Sequence, residues 1–523
     1  MSETGKPEEH PGHDDYGQRK RRALAMGGEA KLAARRATGV LNARERIDAL
    51  LDPGTFLESG LFAASTSNPQ DRENTPGDGK IAGYGRIEGR EVALVVNDFT
   101  VKGASSTAVN GRKIGQMKRV ATERGLPLVL LGESSGARMP DTMGAAGMGA
   151  MLGHDPAQYQ RTRETPWASG VLGQCYGSST WYACIADCNV IRKGAVMAVS
   201  SPRLCSLAVG ETVDHEELGG WELHTEVTGL ADLATDSDEE ALEAIRAFPS
   251  YLPAHHNEAP PVRPVAPGAS AAAERLGDLV PERRTRVYDI RPVLGALADP
   301  GSLFELKARF GRPAVTALGR MEGRTVGFIA NNPMVKGGAL DADACDKITS
   351  FLVLCDSFNI PLVLLVDTPG FVIGTEAERK RAPGKIINFM NALSLVSVPK
   401  LSIILRKTYG QAYLNMGGGR NSDEVAAWPT AEISFMDPDF AVQVVHGGAE
   451  GGFENTDDPA YQAARERMGR DAQVWDIAAA YGVQHVIRPE ETRPWLLRML
   501  EVHRLRLTGG VGQHRLANWP TSY

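Results

Sequence analysis

The chain has 523 residues, 42% of them hydrophobic, with 57 Lys and Arg against 64 Asp and Glu, for a formal net charge of −7. That length is too great for one compact core and carries apolar material for two or three. The acidic balance, with no sustained basic patch beyond the N-terminal region, argues against a nucleic-acid partner and for small molecules or proteins.

Residues 1–28 are polar and densely charged and read as a disordered tail. The opening MSETGKPEEHPGHDDYGQRKRR lacks the apolar stretch of a signal peptide, and its acids argue against a transit sequence. No later segment offers about eighteen consecutive apolar residues, so no membrane association is expected. The six cysteines, at 175, 184, 188, 205, 345 and 355, show no C-x-x-C spacing. Neither a zinc ribbon nor a disulfide framework is indicated, and a cytoplasmic location follows as the expectation.

Further along, DPGTFLE begins at Asp52 and GRIEGREVALVVNDFTVKG at Gly85, both extended in pattern. Ile114, Met117 and Val120 recur about three apart, as on a helix packing one face on a sheet. Leu126-Pro127-Leu128-Val129-Leu130-Leu131 then reads as a buried strand that breaks into Gly132, Glu133, Ser134, Ser135 and Gly136. This spells G-x-S-x-G, and a serine nucleophile would draw on His154, His215 or His224 downstream.

The second half repeats the first. GRMEGRTVGFIANNPMVKG begins at Gly319, 234 residues after its counterpart, and the same shift carries the strand at Leu126 onto Ile360-Pro361-Leu362-Val363-Leu364-Leu365. Ile348, Phe351 and Leu354 take the places of Ile114, Met117 and Val120. Cys175-Tyr176-Gly177 falls on Thr408-Tyr409-Gly410 at a shift of 233, and DPGSLFE at Asp299 echoes the segment at Asp52. The chain is thus two copies of one α/β unit, with strands and helices alternating. The expected organisation is a tail over 1–28, a first domain over 29–255, a Pro- and Ala-rich linker over 256–280, a second domain over 281–510 and a C-terminal tail over 511–523.

Under this repeat Glu133-Ser134-Ser135-Gly136 falls on Asp367-Thr368-Pro369-Gly370. A turn is shared and a nucleophile is not, so Ser134 reads as part of a glycine turn rather than a hydrolase elbow. HEELGG at His215 opens like a zincin motif, but Gly219 stands where a second histidine is needed, so no metal site is expected. Cys184 and Cys188, four apart, read as small buried hydrophobes.

The runs LNARERIDALLDPGTF, NNPMVKGGALDADACDKITSFLVLCDSFNIPLVLLVDTPGFVIGTEAE, RKTYGQAYLNM and WPTAEISFM, in that order, resemble the carboxyltransferase (β) subunit of biotin-dependent acyl-CoA carboxylases, typified by propionyl-CoA carboxylase. The resemblance spans about residues 30 to 505 and is closer in the second half. It implies two crotonase-like (ClpP-like) β-superhelix domains related by duplication, assembled as a homo-hexamer, a trimer of dimers, with sites formed between the first domain of one subunit and the second domain of its partner. Acyl-CoA would be held on the first-domain side and biotin received on the second. Biotin would arrive on a separate biotin carboxylase or carboxyl carrier subunit, since Lys118, between Met117 and Arg119 in a helix, does not form an M-K-M site.

By motif, Gly177 and Ser178 take the place of the family's thioester oxyanion hole, and Gln411 and Ala412 that of its biotin hole. Gly136, Ala137, Ser179, Gly410, Tyr413 and Leu414 fall at substrate-binding positions, and Gly370 and Phe371, with Gly410, at cofactor-binding ones. Backbone amides suit this chemistry because they are pre-oriented donors for developing oxyanions and need no proton. Ser178, Ser179 and Gln411 depart from the family's Gly-Gly-Ala runs, and Leu414 stands where acyl preference is set. Arg406 and Lys407 are positioned to attract a carboxylate or to form a salt bridge; Lys102, Arg112 and Arg138 suit the nucleotide end of CoA by residue type. Two other readings stay open: a biotin-independent decarboxylase of malonyl- or methylmalonyl-thioesters, and a non-catalytic scaffold in a mixed complex.

Overall fold

The computed structural model describes residues 12–66, 69–152, 157–210, 212–265, 267–268, 270–446, 457–504 and 511–520. The chain forms two compact units. One takes in the chain up to Arg161 with Thr165–His224 and Ala234–Pro249; the other takes in Ser250 onward with Thr162–Glu164 and Thr225–Leu233.

The first unit is built on an eight-stranded sheet in the order β1 (Leu57–Ser59), β2 (Lys80–Ile87), β3 (Arg90–Asn97), β4 (Leu128–Ser134), β5 (Trp167–Tyr176), β6 (Cys188–Arg192) and β8 (Leu233–Thr235), with β7 (Val196–Ala198) beside β5. β1, β2 and β3 pair antiparallel, and β3 through β6 run parallel. β5 is long enough to pair β6 with Ala168–Val171 and β7 with Gln174–Tyr176. That change of partner turns the sheet, and it leaves the C-terminal ends of β4 and β5 beside the loops that follow them. Leu128, Val129, Leu130 and Leu131 are buried on both faces of the sheet, the pattern of a covered parallel strand. The helix Ala108–Arg124 lays Ile114, Met117 and Ala121 on β3 and β2, and Thr107 caps its start.

The second unit repeats this plan in the order β9 (Phe304–Leu306), β10 (Ala314–Met321), β11 (Arg324–Asn331), β12 (Leu362–Thr368), β13 (Lys400–Tyr409), β14 (Glu424–Ala427) and β16 (His485–Val486), with β15 (Glu432–Ser434) beside β13. The registers coincide at the sequence shift. Ala93 faces Leu128 as Gly327 faces Leu362, and the irregularity between Gly132 and Ser134 recurs between Val366 and Thr368. The hairpins are tied alike. Asp52 accepts from the amide of Gly89 at 2.7 Å and Asp299 from that of Gly323 at 2.7 Å. The helix Ala342–Ser357 is buried along nearly its whole length, because the helix Ala382–Leu395 packs on it.

Three segments differ from the expected organisation. Gly12–Leu24 is helical inside the expected tail. Within the expected linker, Ala273 and Leu276 enter the core of the second unit, since alanine read as linker composition is also the best helix former. Leu516, in the expected C-terminal tail, is fully buried, and its amide donates to Asp356.

Candidate functional site

Each unit carries a pair of adjoining turns at the ends of two neighbouring parallel strands. In the first, β4 runs into Ser135, Gly136 and Ala137, while β5 ends at Tyr176 and turns through Gly177 into the helix Ser178–Cys184. The first turn is pinned by Ser106, whose amide donates to Gly136 O at 2.8 Å and whose carbonyl accepts from Arg138 at 3.0 Å. Gly177 has φ 64° and ψ −123°, a conformation closed to L side chains. A Cβ placed on Gly136 would lie 3.9 Å from Tyr176 Cβ, and one on Gly177 would lie 4.0 Å from Gly136 Cα. The fold therefore brings Gly136, Ala137, Gly177, Ser178 and Ser179 together.

The second unit builds the same pair. β12 runs into Pro369, Gly370 and Phe371, pinned by Leu340 through its amide to Gly370 O at 3.0 Å and its carbonyl to Val372 at 2.8 Å. β13 ends at Tyr409 and turns through Gly410, with φ 59° and ψ −143°, into the helix Gln411–Asn415. A Cβ on Gly370 would lie 3.8 Å from Tyr409 O, so Gly370, Phe371, Gly410, Gln411 and Ala412 share one place. Ser106 and Leu340, which hold the turns, were not anticipated from the sequence, although the 234-residue shift pairs them.

What these turns offer is main-chain donors. Among the described residues no acceptor pairs with the amides of Ser178, Ser179, Gln411 or Ala412, and neither Gly177 nor Gly410 supplies a capping side chain. The Gln411 side chain folds along its own helix, its amide donating to Asn415 Oδ1 at 3.2 Å, and so turns onto the helix instead of filling the turn. The Ser178 hydroxyl is 2.7 Å from that of Ser106. Tyr413 points into its own unit and donates to Gly482 O at 2.9 Å, which commits its hydroxyl to the fold; Leu414 keeps 37% of its surface exposed.

Ser134 is fully buried. Its hydroxyl donates to Ala104 O at 3.1 Å and accepts from the Gly136 amide at 3.2 Å, and Thr368 accepts from Gly370 N at 3.2 Å in the other unit. These hydroxyls hold the glycine turns. His215 lies 3.4 Å from the Tyr176 hydroxyl and His224 is 2.6 Å from Met197 O, while His154 lies outside the described residues. Cys184 ends a helix and Cys188 begins β6, so the two do not share a helix face.

Three of the five cations foreseen for ligands, Arg406, Lys407 and Arg138, are buried against carboxylates. Arg406 and Lys407 lie on β13 and meet Asp367 at 2.7 and 3.3 Å, all three buried. Arg138 is buried against Asp78 at 2.6 Å. Lys102 is near Asp71 at 3.4 Å, and Arg112 is exposed. Glu133, the counterpart of Asp367, binds Arg35 and Arg46 at 2.7 Å each. Burial, with Glu432 beside it, holds the Tyr409 phenol far above its ordinary range, so it stays a neutral donor to Glu432 at 2.8 Å.

Comparison with known proteins identifies the family. Residues 34–507 match the carboxyl transferase domain. The carboxyltransferase subunit of propionyl-CoA carboxylase from Haloferax mediterranei is 35% identical over 504 residues, 94% of this chain and 96% of that protein. Methylmalonyl-CoA decarboxylase subunit alpha of Veillonella parvula is 32% identical, covering 91% and 92%. Among solved structures, the transcarboxylase 12S core with methylmalonyl-coenzyme A bound superimposes with a TM-score of 0.86 at 31% identity, covering 94% of this chain and 95% of that one. With its two sheets of one topology and one register, the chain belongs to the carboxyl transferase domain family, as a carboxyltransferase of crotonase-like fold.

Proposed function

We propose that the protein moves a carboxyl group onto the α-carbon of a short acyl-CoA, with propionyl- or acetyl-CoA as the substrate class. The observation that carries this reading is the pair of matched turns, Gly177 and Gly410, each followed by amides without an acceptor among the described residues. Carboxylating a thioester at its α-carbon requires an enolate, whose oxygen must be stabilised as it gains charge. The amides of Ser178 and Ser179 are fixed donors for that oxygen, and one such donor is worth ~3 kcal/mol of transition-state stabilisation. The amides of Gln411 and Ala412 suit the carbonyl oxygen of the carboxyl donor, and with the Gln411 side chain turned onto Asn415 the residues present fit biotin there. Bound in that place, biotin on a separate carrier subunit supplies an activated carboxyl group. The first unit is the acyl side and the second the biotin side.

The working form we infer is a homo-oligomer, as the hexameric 12S transcarboxylase is. Leu204 and Leu207 in the first unit and Phe435 and Val445 in the second are apolar and more than half exposed, surface that association of copies would cover. Six free cysteines suit a reducing cytoplasm, and no helix among the described residues is long and apolar enough to cross a membrane.

The test is transfer in reverse, from methylmalonyl- or malonyl-CoA to free biotin. Proline at the first helical position deletes an amide where the backbone tolerates it. Ser178→Pro and Gln411→Pro should each lower transfer by about 10²–10³-fold in folded protein. No transfer by the wild type across a broad acyl panel, with a biotin-bearing partner also supplied, would refute the reading. The likeness to a methylmalonyl-CoA decarboxylase subunit favours a second one, decarboxylation of such thioesters; CO2 release that needs Ser178 but neither biotin nor Gln411 would select it.

A further inference from the structure

Lys80 in β2, and Lys113 and Lys347 in the helices Ala108–Arg124 and Ala342–Ser357, are among the buried lysines. Lys113 and Lys347 are counterparts, 234 residues apart, and each bridges main-chain carbonyls: Lys113 those of Gly60, Gly77 and Lys80, Lys347 those of Phe310 and Ala314. In both copies the lysine ties a helix to the main chain beside it. Lys80 does not recur, since Ala314 holds its place in the second unit.

Lys80 is 1% exposed at the start of β2. Its ammonium donates to Asn97 Oδ1 at 3.1 Å and to Ala104 O at 3.3 Å, and no carboxylate among the described residues lies within ion-pair distance. Asn97 in turn donates from Nδ2 to the Ser179 hydroxyl at 3.1 Å. Ser179 is in the first turn of the helix after Gly177. The second unit keeps the asparagine as Asn331 but has Ala412 in place of Ser179. Asn331 there donates to Gly338 O and accepts from the Asp367 amide, serving the strand alone. Both ends of the chain from ammonium to helix are therefore present in the acyl unit and are alanine in the other. Behind Ser179 a cavity of about 20 Å³, lined by Lys80, Asn97, Ser169, Ser179 and Tyr182, has room for one water as a further partner of the ammonium.

A buried ammonium held only by neutral acceptors costs stability, so its presence asks for another return. We propose that Lys80 is a positioning residue for acyl-thioester activation: acting through Asn97 it fixes the Ser179 hydroxyl, and it holds a positive charge two hydrogen bonds from the first turn of the helix that carries the amides of Ser178 and Ser179. This rests on the carboxyltransferase reading above. The thioester oxygen becomes negative only on the way to the enolate, so a fixed cation linked to the turn that carries its donors lowers the barrier more than it tightens substrate binding.

The charged and titratable groups facing Lys80 are Asp78, Arg138, Lys113 and Cys175. Burial pushes its ammonium down to about 8, with Cys175 and Asp78 opposing the shift and Arg138 and Lys113 adding to it. The charge is present below that pH and lost as the pH rises through it.

The experiment compares carboxyl transfer from methylmalonyl-CoA to free biotin in the whole chain, as wild type, Lys80→Met, Lys80→Arg, Ser179→Ala and the Met/Ala double variant. Lys80→Met should lower kcat about tenfold with KM changed less than about threefold, and should lose the fall in kcat above pH ~8 shown by the wild type. Lys80→Arg should recover part of the rate and shift that fall upward. Ser179→Ala should lower kcat as well, and the double variant should be no slower than the slower single one, as for members of one relay. If Lys80→Met fails to fold, Lys80→Arg and Ser179→Ala still decide through the pH profile. A wild-type rate and profile in Lys80→Met, or strictly additive losses, would overturn the role of Lys80. Absence of transfer by the wild type would instead refute the carboxyltransferase reading.

Discussion

Gly177 and Gly410 adopt one backbone conformation 233 residues apart, with φ 64° and ψ −123° in the first and φ 59° and ψ −143° in the second. The two are not equally crowded. A Cβ on Gly410 would meet Phe435 O at 3.0 Å, whereas one on Gly177 would find nothing closer than 4.0 Å. Alanine at either position incurs backbone strain of ~1–3 kcal/mol. Gly410→Ala adds a main-chain clash and should lower the melting temperature more than Gly177→Ala does. Equal melting temperatures would show that the Phe435 carbonyl yields freely.

Ser134 should prove structural. Ser134→Ala removes the hydroxyl that bonds Ala104 O and the Gly136 amide, at a cost of ~1 kcal/mol in stability. Carboxyl transfer should fall by less than about tenfold, where loss of a serine nucleophile costs ~10⁶-fold. The wild type should also resist labelling by a fluorophosphonate; stoichiometric labelling at Ser134 would contradict its buried position.

Glu133 and Asp367 are counterparts that anchor the ends of β4 and β12 to buried cations. Glu133→Gln leaves Arg46, which is fully buried, with Asp238 at 3.0 Å as its remaining carboxylate. Asp367→Asn leaves Arg406 and Lys407 without theirs. Breaking a buried pair on one side costs ~3–5 kcal/mol, so each variant should unfold at markedly lower urea. A midpoint unchanged in both would show that these carboxylates are dispensable.

Burial, opposed by nearby Glu305, pushes Lys347 down to about 7 in the folded chain, against ~10.4 for a free lysine. Between those values the unfolded chain binds the extra proton, so this residue makes stability rise with pH across that window and level off above it. Lys347→Met should remove the rise, read as the difference in unfolding free energy between wild type and variant from pH 7 to pH 10. A difference independent of pH would mean that Lys347 stays charged in the fold.

Much of the architecture was legible because duplication leaves aligned strings. The glycine turns need glycine in both copies, and strands covered on both faces need runs such as Leu128–Leu131 and Leu362–Leu365. Charged residues were harder to place. Arg406 and Lys407 read either as cations that attract a carboxylate or as salt-bridge partners, and their positions within β13 decide for the second, turning them onto Asp367, 39 residues away from Arg406. Alanine in 271–276 read as linker, yet lies against a core built from strands far along the chain.

The sequence alone determined the twofold repeat, the family and the two loops where main-chain donors lie, since these depend on local backbone demands and on periodic burial. Only the tertiary structure decided what each side chain near them does. Ser134 holds a turn by reaching Ala104, 30 residues back, and Lys80 reaches Ser179 through Asn97 across separations of 17 and 82 residues, contacts that only the packed sheet brings within hydrogen-bond reach; Gln411 takes one rotamer among several, lying along its helix onto Asn415.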